Sequence, residues 1–322
     1  MNRLLVSCAA LLITAGSAAA DGFDEAQQLL QRMATAMGEL SYQGTFVYVR
    51  GEDVETMRIT HVNDAQGVRE RLYALSGPPR EVIRDRDGVR CALGAAGELS
   101  ADANLNRSLF PDIPMQALSA ARARYLFEVG GMARIAGFNG RRLTILPRDE
   151  FRYGYDLWLE QDKGLLLRWV LYDNDRRTLA KLMFTDLRVG TDVDVSELDS
   201  STPQDQFVRL AAQGDAPAST ASERSAPQPD GVPPGFELAA RGERPAGTSE
   251  PFEHLVFSDG LASVSVYIEA AQAAGNVTPG LSRMGTTNAY SSTVGGRQVT
   301  AIGEVPAATV KALSNAFASD SR

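Results

Sequence analysis

From Tyr42 to Arg188, apolar and polar positions alternate in one short run after another, with turn residues between them. A two-residue period of this kind marks strands that bury one face. The runs are Thr45–Arg50, Val54–Val62, Val68–Leu75, Glu81–Asp85, Val89–Leu93, Tyr125–Val129, Arg141–Leu146, Tyr153–Glu160, Leu165–Asp173 and Thr178–Arg188. Gly51-Glu-Asp53, Asp87-Gly88, Asn139-Gly140 and Gln161–Gly164 supply the turn chemistry between neighbours. Ahead of the strands, Phe23, Ala26, Leu30, Met33, Met37 and Leu40 recur at spacings of three and four, which predicts one helix with an apolar face against the sheet. No amphipathic helices are interleaved with the strands. Such a sheet curls on itself and encloses a cavity or groove. Thr45–Val49 is apolar on both faces, more than one flat core requires. The expected lining is therefore Phe46, Tyr48, Met57, Ile59 and Leu72.

The pattern breaks twice. Residues 94–115 carry few strand signals and include Asn104, Asn106, Pro111 and Pro114; a loop of that length in a compact domain is functional or mobile. Between Gln213 and Pro234 the chain is rich in Ala, Ser, Pro, Asp and Gln and nearly lacks large apolar residues, the composition of a flexible linker. Strand patterns resume at His254–Phe257 and Leu261–Ile268, and again on either side of Gly295-Gly296. Pro306 opens a last helix with Val310, Leu313 and Phe317 on one face. The organisation read from the sequence is a leader over 1–20, a β domain over 21–209, a linker over 210–231, an α+β module over 232–318 and a tail over 319–322.

The leader has the architecture of an export signal: Arg3, an apolar stretch Leu4–Ala15 too short to span a bilayer, and Ala18-Ala-Ala20 as a small-residue cleavage site. Leu5-Val6-Ser7-Cys8 matches the box that precedes a lipidated cysteine. Only Leu4–Val6 stand before Ser7, too few for an apolar core, so Cys8 is read as an ordinary leader residue and the mature chain as beginning at Asp21. Cys91 is then the single remaining cysteine and, within a strand pattern, reads as a small buried apolar residue rather than a reactive thiol.

The net charge of −8 argues against general nucleic-acid binding. His61 and His254 have no second histidine or cysteine at ligand spacing, so no metal site is expected, and His61 reads as structural. The aspartate pairs Asp85/Asp87, Asp173/Asp175 and Asp192/Asp194 fall at turns, where the side chain serves local backbone hydrogen bonds. Neither a Gly-x-Ser-x-Gly elbow nor a phosphate-cradling loop is present, so no catalytic residue and no cofactor are assigned. A hydrolase built from scattered carboxylates, which leaves little local trace, stays open as a minor reading.

Two clusters stand out as surface. Alternation places Arg80, Arg84 and Arg86 on one strand face beside a double-proline turn. They read either as a solvated outer face balanced by Glu81, Asp85 and Asp87, or as a contact for an acidic partner or a lipid phosphate. In the second module Ser263, Ser265 and Tyr267 lie opposite Ala262, Val264, Val266 and Ile268, a small polar face with one aromatic that suits docking of a peptide.

Several longer stretches carry a family resemblance. Tyr42-Gln-Gly-Thr-Phe-Val-Tyr48, Glu55-Thr-Met-Arg-Ile59 with His61, Arg69-Glu-Arg-Leu72, Gly77-Pro-Pro-Arg-Glu-Val-Ile83, Arg152-Tyr-Gly-Tyr155, Leu157–Leu159 with Gly164-Leu-Leu-Leu167, and Phe184-Thr-Asp-Leu187 resemble the MucB/RseB family. So do Pro233-Pro-Gly-Phe236, His254–Val266, Ser282-Arg-Met-Gly285, Thr287-Asn-Ala-Tyr290 and Gly303-Glu-Val-Pro306. The resemblance spans nearly the whole mature chain and departs in the linker and in 94–115. It implies a large domain like the LolA/LolB lipoprotein carriers, a half-open antiparallel barrel with a hydrophobic cavity, joined to a smaller α+β domain. It also implies a periplasmic regulator that binds the periplasmic part of a membrane-anchored anti-sigma factor of the RseA/MucA type. That binding shields the anti-sigma factor from the site-1 protease and keeps a sigma-E-type factor sequestered, with lipopolysaccharide or a related lipid releasing the regulator. The alternative is a periplasmic carrier of lipid or lipoprotein. Self-association is left open.

Overall fold

The computed structural model describes residues 17–77, 79–93, 110, 118–191, 193–210, 229–244, 252–271 and 279–319. Most of the leader, the 94–115 loop and the linker therefore lie outside the described residues. The chain is mainly β. Helix α1 (Ser17–Glu39) precedes five strands: β1 (Tyr42–Arg50), β2 (Asp53–Asp64), β3 (Gly67–Ala74), β4 (Arg80–Asp85) and β5 (Gly88–Leu93). A short helix α2 (Leu118–Ala121) then leads to β6 (Tyr125–Ile135), β7 (Phe138–Pro147), β8 (Gly154–Glu160), β9 (Leu166–Tyr172), β10 (Thr178–Val189) and β11 (Phe207–Leu210). These strands form one antiparallel sheet in the order β11-β5-β4-β3-β2-β1-β10-β9-β8-β7-β6. The two meanders meet where β1 pairs with β10, and the sheet ends on β6 and β11 without closing.

The sheet curves around a single core. Alternation sends Phe46 from β1, Met57 and Ile59 from β2, Leu72 from β3, and Val82 from β4 to the concave side. Leu143, Leu157, Trp169, Leu182 and Phe184 join them from the second meander. Helix α1 presents Phe23, Ala26, Leu29, Leu30, Met33 and Ala36 to the same core, the periodic face its sequence predicts. Phe23 meets Phe127 of β6 edge-to-face at 5.2 Å, which places the helix against the β6 end of the sheet.

Two turns differ from their expected positions. The β6–β7 turn is Ala136-Gly137, with φ of 48° and 87°, not Asn139-Gly140. Two successive left-handed residues give the twist a tight hairpin needs. Gly140 instead lies within β7, where a Cβ would stand 3.2 Å from a Leu167 methyl. That glycine serves close packing. The β4–β5 turn is Arg86-Asp87, one residue earlier than Asp87-Gly88: Asp85 pairs with Gly88, and Asp85 Oδ1 accepts the Asp87 amide at 2.8 Å.

A segment the alternation did not mark crosses the outer face of β2 and β3 between β10 and β11. Its anchor is Glu197, in a 3-10 turn over Val195–Leu198 that Asp194 caps. Glu197 accepts from Arg58 at 3.2 Å and from the Tyr73 hydroxyl at 3.2 Å, and its carbonyl accepts from Arg71 at 3.0 Å.

The second domain is a six-stranded antiparallel sheet with one helix. Its strands are β12 (Glu237–Arg244), β13 (Phe252–Ser258), β14 (Ser263–Ala270), β15 (Gly280–Met284), β16 (Thr287–Val294) and β17 (Arg297–Gly303), in the order β12-β13-β14-β17-β16-β15. Helix α3 (Ala307–Ser319) covers one face and encloses Phe257, Val264, Val266, Val299, Ala301, Val310 and Leu313.

Candidate functional site

The five residues expected to line a cavity converge on the concave side of the first sheet. Phe46, Met57, Ile59 and Leu72 are buried there, and Tyr48 is partly buried against the same cluster. Phe46 stands 5.5 Å from Phe184 and 6.0 Å from Phe110, ring centre to ring centre. Tyr48 lies toward one rim, tilted on Trp169 at 6.0 Å. Burial pushes its phenol up to about 12; Arg50 opposes the rise, and Glu304 of the second domain and Glu55 add to it.

The arginine cluster is not one surface. Arg80 and Arg84 flank buried Val82 on the concave side, rather than on a solvated outer face, and Arg86 stands exposed in the turn. Arg80 pairs with Glu55 and reaches Met57 Sδ at 3.8 Å. Arg84 pairs with Glu70, which also faces His61 Nδ1 at 3.3 Å. His61 stacks on Tyr42 at 4.9 Å, and its Nε2 lies 3.4 Å from the Gly38 carbonyl at the end of α1. Burial alone would raise the Glu70 carboxyl, but the His61 hydrogen bond and Arg84 outweigh it and hold the group below its ordinary value. Cys91 is buried between these arginines, and burial raises its thiol. Of the expected counter-charges, Asp85 pairs with Arg90 of β5 at 2.7 Å and Asp87 stands exposed in the turn. Glu81 points to the opposite face, where Arg71 donates to it at 2.6 Å.

On β14, Val264, Val266 and Ile268 face α3, and Ser263, Ser265 and Tyr267 face the other way and are half-buried. Sequence reasoning did not extend this face to the next strand. His254 of β13 stacks on Tyr267 at 4.5 Å, and Phe252 meets it edge-on at 5.9 Å. The β13–β14 register, which pairs His254 with Tyr267, makes the three aromatic rings one group. Among the described residues no helix packs on this side.

The feature the sequence reading missed is the seam where the end of the second sheet abuts the first domain. Arg152 is fully buried there, between two domains that a linker was expected to keep apart. Its Nε donates to Asp259 Oδ2 at 2.5 Å, Nη1 to Asp149 at 2.6 Å and Nη2 to the Pro234 carbonyl at 2.7 Å. The Tyr125 hydroxyl donates to the same Asp259 oxygen at 2.9 Å. The guanidinium lies over the Phe236 ring at 4.7 Å. Burial alone would lower the Arg152 pKa, yet Asp259 and Asp149 raise it, so the group is a fixed cation. Gly235, with φ of 86°, admits this arginine: a Cβ would stand 3.1 Å from its Nη2 and 2.7 Å from Arg124 Nε.

Further polar contacts extend the seam. Asn288 donates to the Tyr153 hydroxyl at 3.0 Å and to the Val305 carbonyl at 2.7 Å; Thr309 donates to the Phe151 carbonyl at 2.7 Å. Leu261 packs on the first core and Phe151 on the second. Arg152-Tyr153, Pro234-Gly-Phe236, Asp259 to Leu261, Asn288 and Val305 thus meet at one place. The signal in the sequence was these stretches themselves, which carried the resemblance without showing that they touch.

One further cleft, of about 370 Å³, opens on the outer face between Glu128, Gly130, Arg142, Thr144, Leu146 and Arg176. Its cations are already engaged: Asp156 takes Arg142 at 2.9 Å and faces Arg176 at 3.8 Å. Among the described residues no group of His, Cys, Asp and Glu could hold a metal ion, and no helix is long and apolar enough to cross a membrane.

A half-open antiparallel sheet, with a second sheet domain seated on it and side chains disposed for packing and charge pairing, defines a mainly β, two-domain binding protein. Within that class the chain belongs to the MucB/RseB family: the model of the MucB/RseB N-terminal domain matches residues 25–202 and that of the C-terminal domain matches 221–318. It is 32% identical over 318 residues to the sigma factor AlgU regulatory protein MucB of Pseudomonas aeruginosa, covering 96% of this chain and 95% of that one. It is 27% identical over 311 residues to the sigma-E factor regulatory protein RseB of Salmonella typhimurium, with 96% and 95% covered. Among solved structures it resembles the Pseudomonas aeruginosa MucA/MucB complex, with a TM-score of 0.66 and 31% identity over 90% of this chain and 97% of that one.

Proposed function

We propose that this protein is a periplasmic negative regulator of a sigma-E-type stress response. It binds the periplasmic part of a membrane-anchored anti-sigma factor of the RseA/MucA type and shields it from site-1 proteolysis, so that the sigma factor stays sequestered. The observation that carries this reading is similarity across both domains to MucB, solved in complex with MucA. The uncovered face of the second sheet, with Ser263, Ser265 and Tyr267 beside His254 and Phe252, is where we place the partner peptide. Its mix of small polar and aromatic side chains suits an extended segment, with the rings as anchors. We assign the concave face around Phe46, Met57, Ile59 and Leu72 to the acyl part of a releasing lipid such as lipopolysaccharide, with Arg80 at one rim. The lipid and the anti-sigma factor then oppose each other, and the coupling is reciprocal.

The test is protection of the anti-sigma periplasmic domain from the site-1 protease by the mature chain. Protection that lipopolysaccharide reverses supports both parts. Absence of protection at saturating protein overturns the regulator reading. Protection that no lipid reverses overturns the lipid assignment alone.

A further inference from the structure

The partners of Arg152 come from both domains. Asp149 and the Tyr125 ring, 5.9 Å from the guanidinium carbon, belong to the first; Asp259, the Pro234 carbonyl and the Phe236 ring belong to the second. Both charged side chains of the central pair are wholly buried. A buried ion pair is ordinarily a poor place for a structure to come apart, because separation strands each charge without a partner. Here each member has a second attachment on its own side. Asp259 Oδ1 accepts the amides of Leu261 at 2.9 Å and Ala262 at 2.8 Å, closing its own β13–β14 turn. Arg152 keeps Asp149, three residues away, whose carboxylate is partly exposed. When the domains part, water replaces the lost partners, and neither charge is left in an apolar core.

The rest of the seam has the same character. Tyr153 with Asn288 and Thr309 with the Phe151 carbonyl are hydrogen bonds that water can take over. Of the apolar cores, Leu261 is the large residue that crosses in one direction and Phe151 in the other. Each domain otherwise encloses its own core. An interface of this kind, polar and reciprocal, resembles those between domains that move.

We propose that Arg152 and Asp259 form a latch that seats the end of the second sheet on the first domain, and that its release lets the domains separate while both cores stay folded. The latch sets the distance between the concave face and the uncovered face of the second sheet, and it works on the chain whether or not the regulator reading is right.

The test is hydrogen–deuterium exchange by mass spectrometry on the full mature chain, without partner or lipid. Asp259→Asn keeps Oδ1 for the turn and removes the charge that faces Arg152. Exchange should rise at least tenfold over 148–153, 232–236 and 259–262, with core strands β9 and β17 unchanged and the radius of gyration from small-angle scattering increased. Tyr125→Phe, which removes one hydrogen bond to Asp259, should give a smaller rise at the same places. Adding Arg152→Gln to Asp259→Asn should add little, since the pair is already broken. Unchanged exchange at the seam overturns the latch. So does a rise that is equal in seam and cores, which would make Asp259 a general structural residue.

Discussion

Gly154 opens β8 beneath the ring of Tyr172, and replacing it with alanine tests how that part of the first sheet is held together. A Cβ at Gly154 would stand 2.5 Å from Tyr172 Cζ and 2.8 Å from the hydroxyl oxygen, closer than real Cβ contacts allow. The ring cannot simply step aside. Tyr172 is 3% exposed, its hydroxyl donates to the Ile145 carbonyl at 3.1 Å, and Arg176 stacks on it at 3.8 Å. Burial pushes the phenol up to about 12, as expected of a group sealed from water. Displacing the ring forfeits roughly 1.5–3 kcal/mol of burial and about 1 kcal/mol of hydrogen bond. The backbone of Gly154 needs no positive φ, so alanine there recovers roughly 0.5–1 kcal/mol through the unfolded chain. The net expectation for Gly154→Ala is a loss of about 2–3 kcal/mol. For a domain of this size that is a fall of roughly 4–12 °C in Tm.

The assay is urea unfolding followed by tryptophan fluorescence. Both tryptophans of the chain, Trp158 and Trp169, lie in the first domain, so the signal ignores the second. The decisive arm is the double variant. With Tyr172→Ala already in place the clash is gone, and Gly154→Ala should then be neutral or slightly stabilising. A cost within about 1 kcal/mol of zero in the parent, or an equal cost in both backgrounds, would refute the account.

Other expectations follow from single contacts. Asn288→Ala leaves the Val305 carbonyl and Tyr153 hydroxyl without their donor in a buried site and should cost about 1–3 kcal/mol, against roughly 0.5–1.5 for Tyr153→Phe, by chemical denaturation. Glu70 is held below its ordinary 4.5, so the stability it contributes is full above that value and is lost as pH falls through its lower folded value; Glu70→Gln should flatten that acid limb in a pH series of unfolding midpoints. Tyr267→Asp places a charge in the ring cluster of the second sheet and should abolish protection of the anti-sigma domain while leaving the tryptophan-detected unfolding of the first domain unchanged. Intact mass of protein recovered from a bacterial periplasm should correspond to an unlipidated chain beginning at Asp21.

Much of the fold was legible because alternation is a local signal. Ten of the eleven strands of the first sheet needed only the period of apolar positions and a turn residue nearby, and α1 needed only its repeat of three and four. The errors were local too. Asn139-Gly140 has favoured hairpin chemistry, but Gly140 was required under Leu167, and the turn went to Ala136-Gly137. Strands β11, β12 and β15 escaped because edge strands need not show alternation: Glu237-Leu-Ala-Ala-Arg-Gly-Glu-Arg244 is largely polar on its free side. The face of Arg80 and Arg84 was misjudged for a different reason. Charge suggested solvent, whereas the alternation with Val82 put both on the concave side, where Glu55 and Glu70 neutralise them. The seam was illegible altogether, since Arg152 and Asp259 are 107 residues apart and nothing in a periodicity pairs them.

That separation in sequence bears on how a regulator of this form would work. The concave face and the aromatic face of the second sheet belong to different domains, whose cores share only the crossing side chains Leu261 and Phe151, so a ligand on one has little packing through which to reach the other. What the two faces share is the seam, where the placement of one domain on the other is decided by a few directional contacts around Arg152. Coupling between distant sites requires an element with two arrangements that both ligands bias. A polar seam whose charges keep local partners on both sides meets that requirement better than a continuous hydrophobic core, which would resist separation. The rim supports the same argument: Glu304 of the second domain lies close enough to Tyr48 to raise its phenol, and Gly285 leaves room for Arg50, with a Cβ there only 2.6 Å from Arg50 Cδ. A molecule entering the concave face past Tyr48 would press first on the edge of the second domain at Gly285 and Glu304. Occupancy of the concave face and seating of the second domain would then be alternatives, and a partner that needs the seated arrangement would be released without ever touching that molecule.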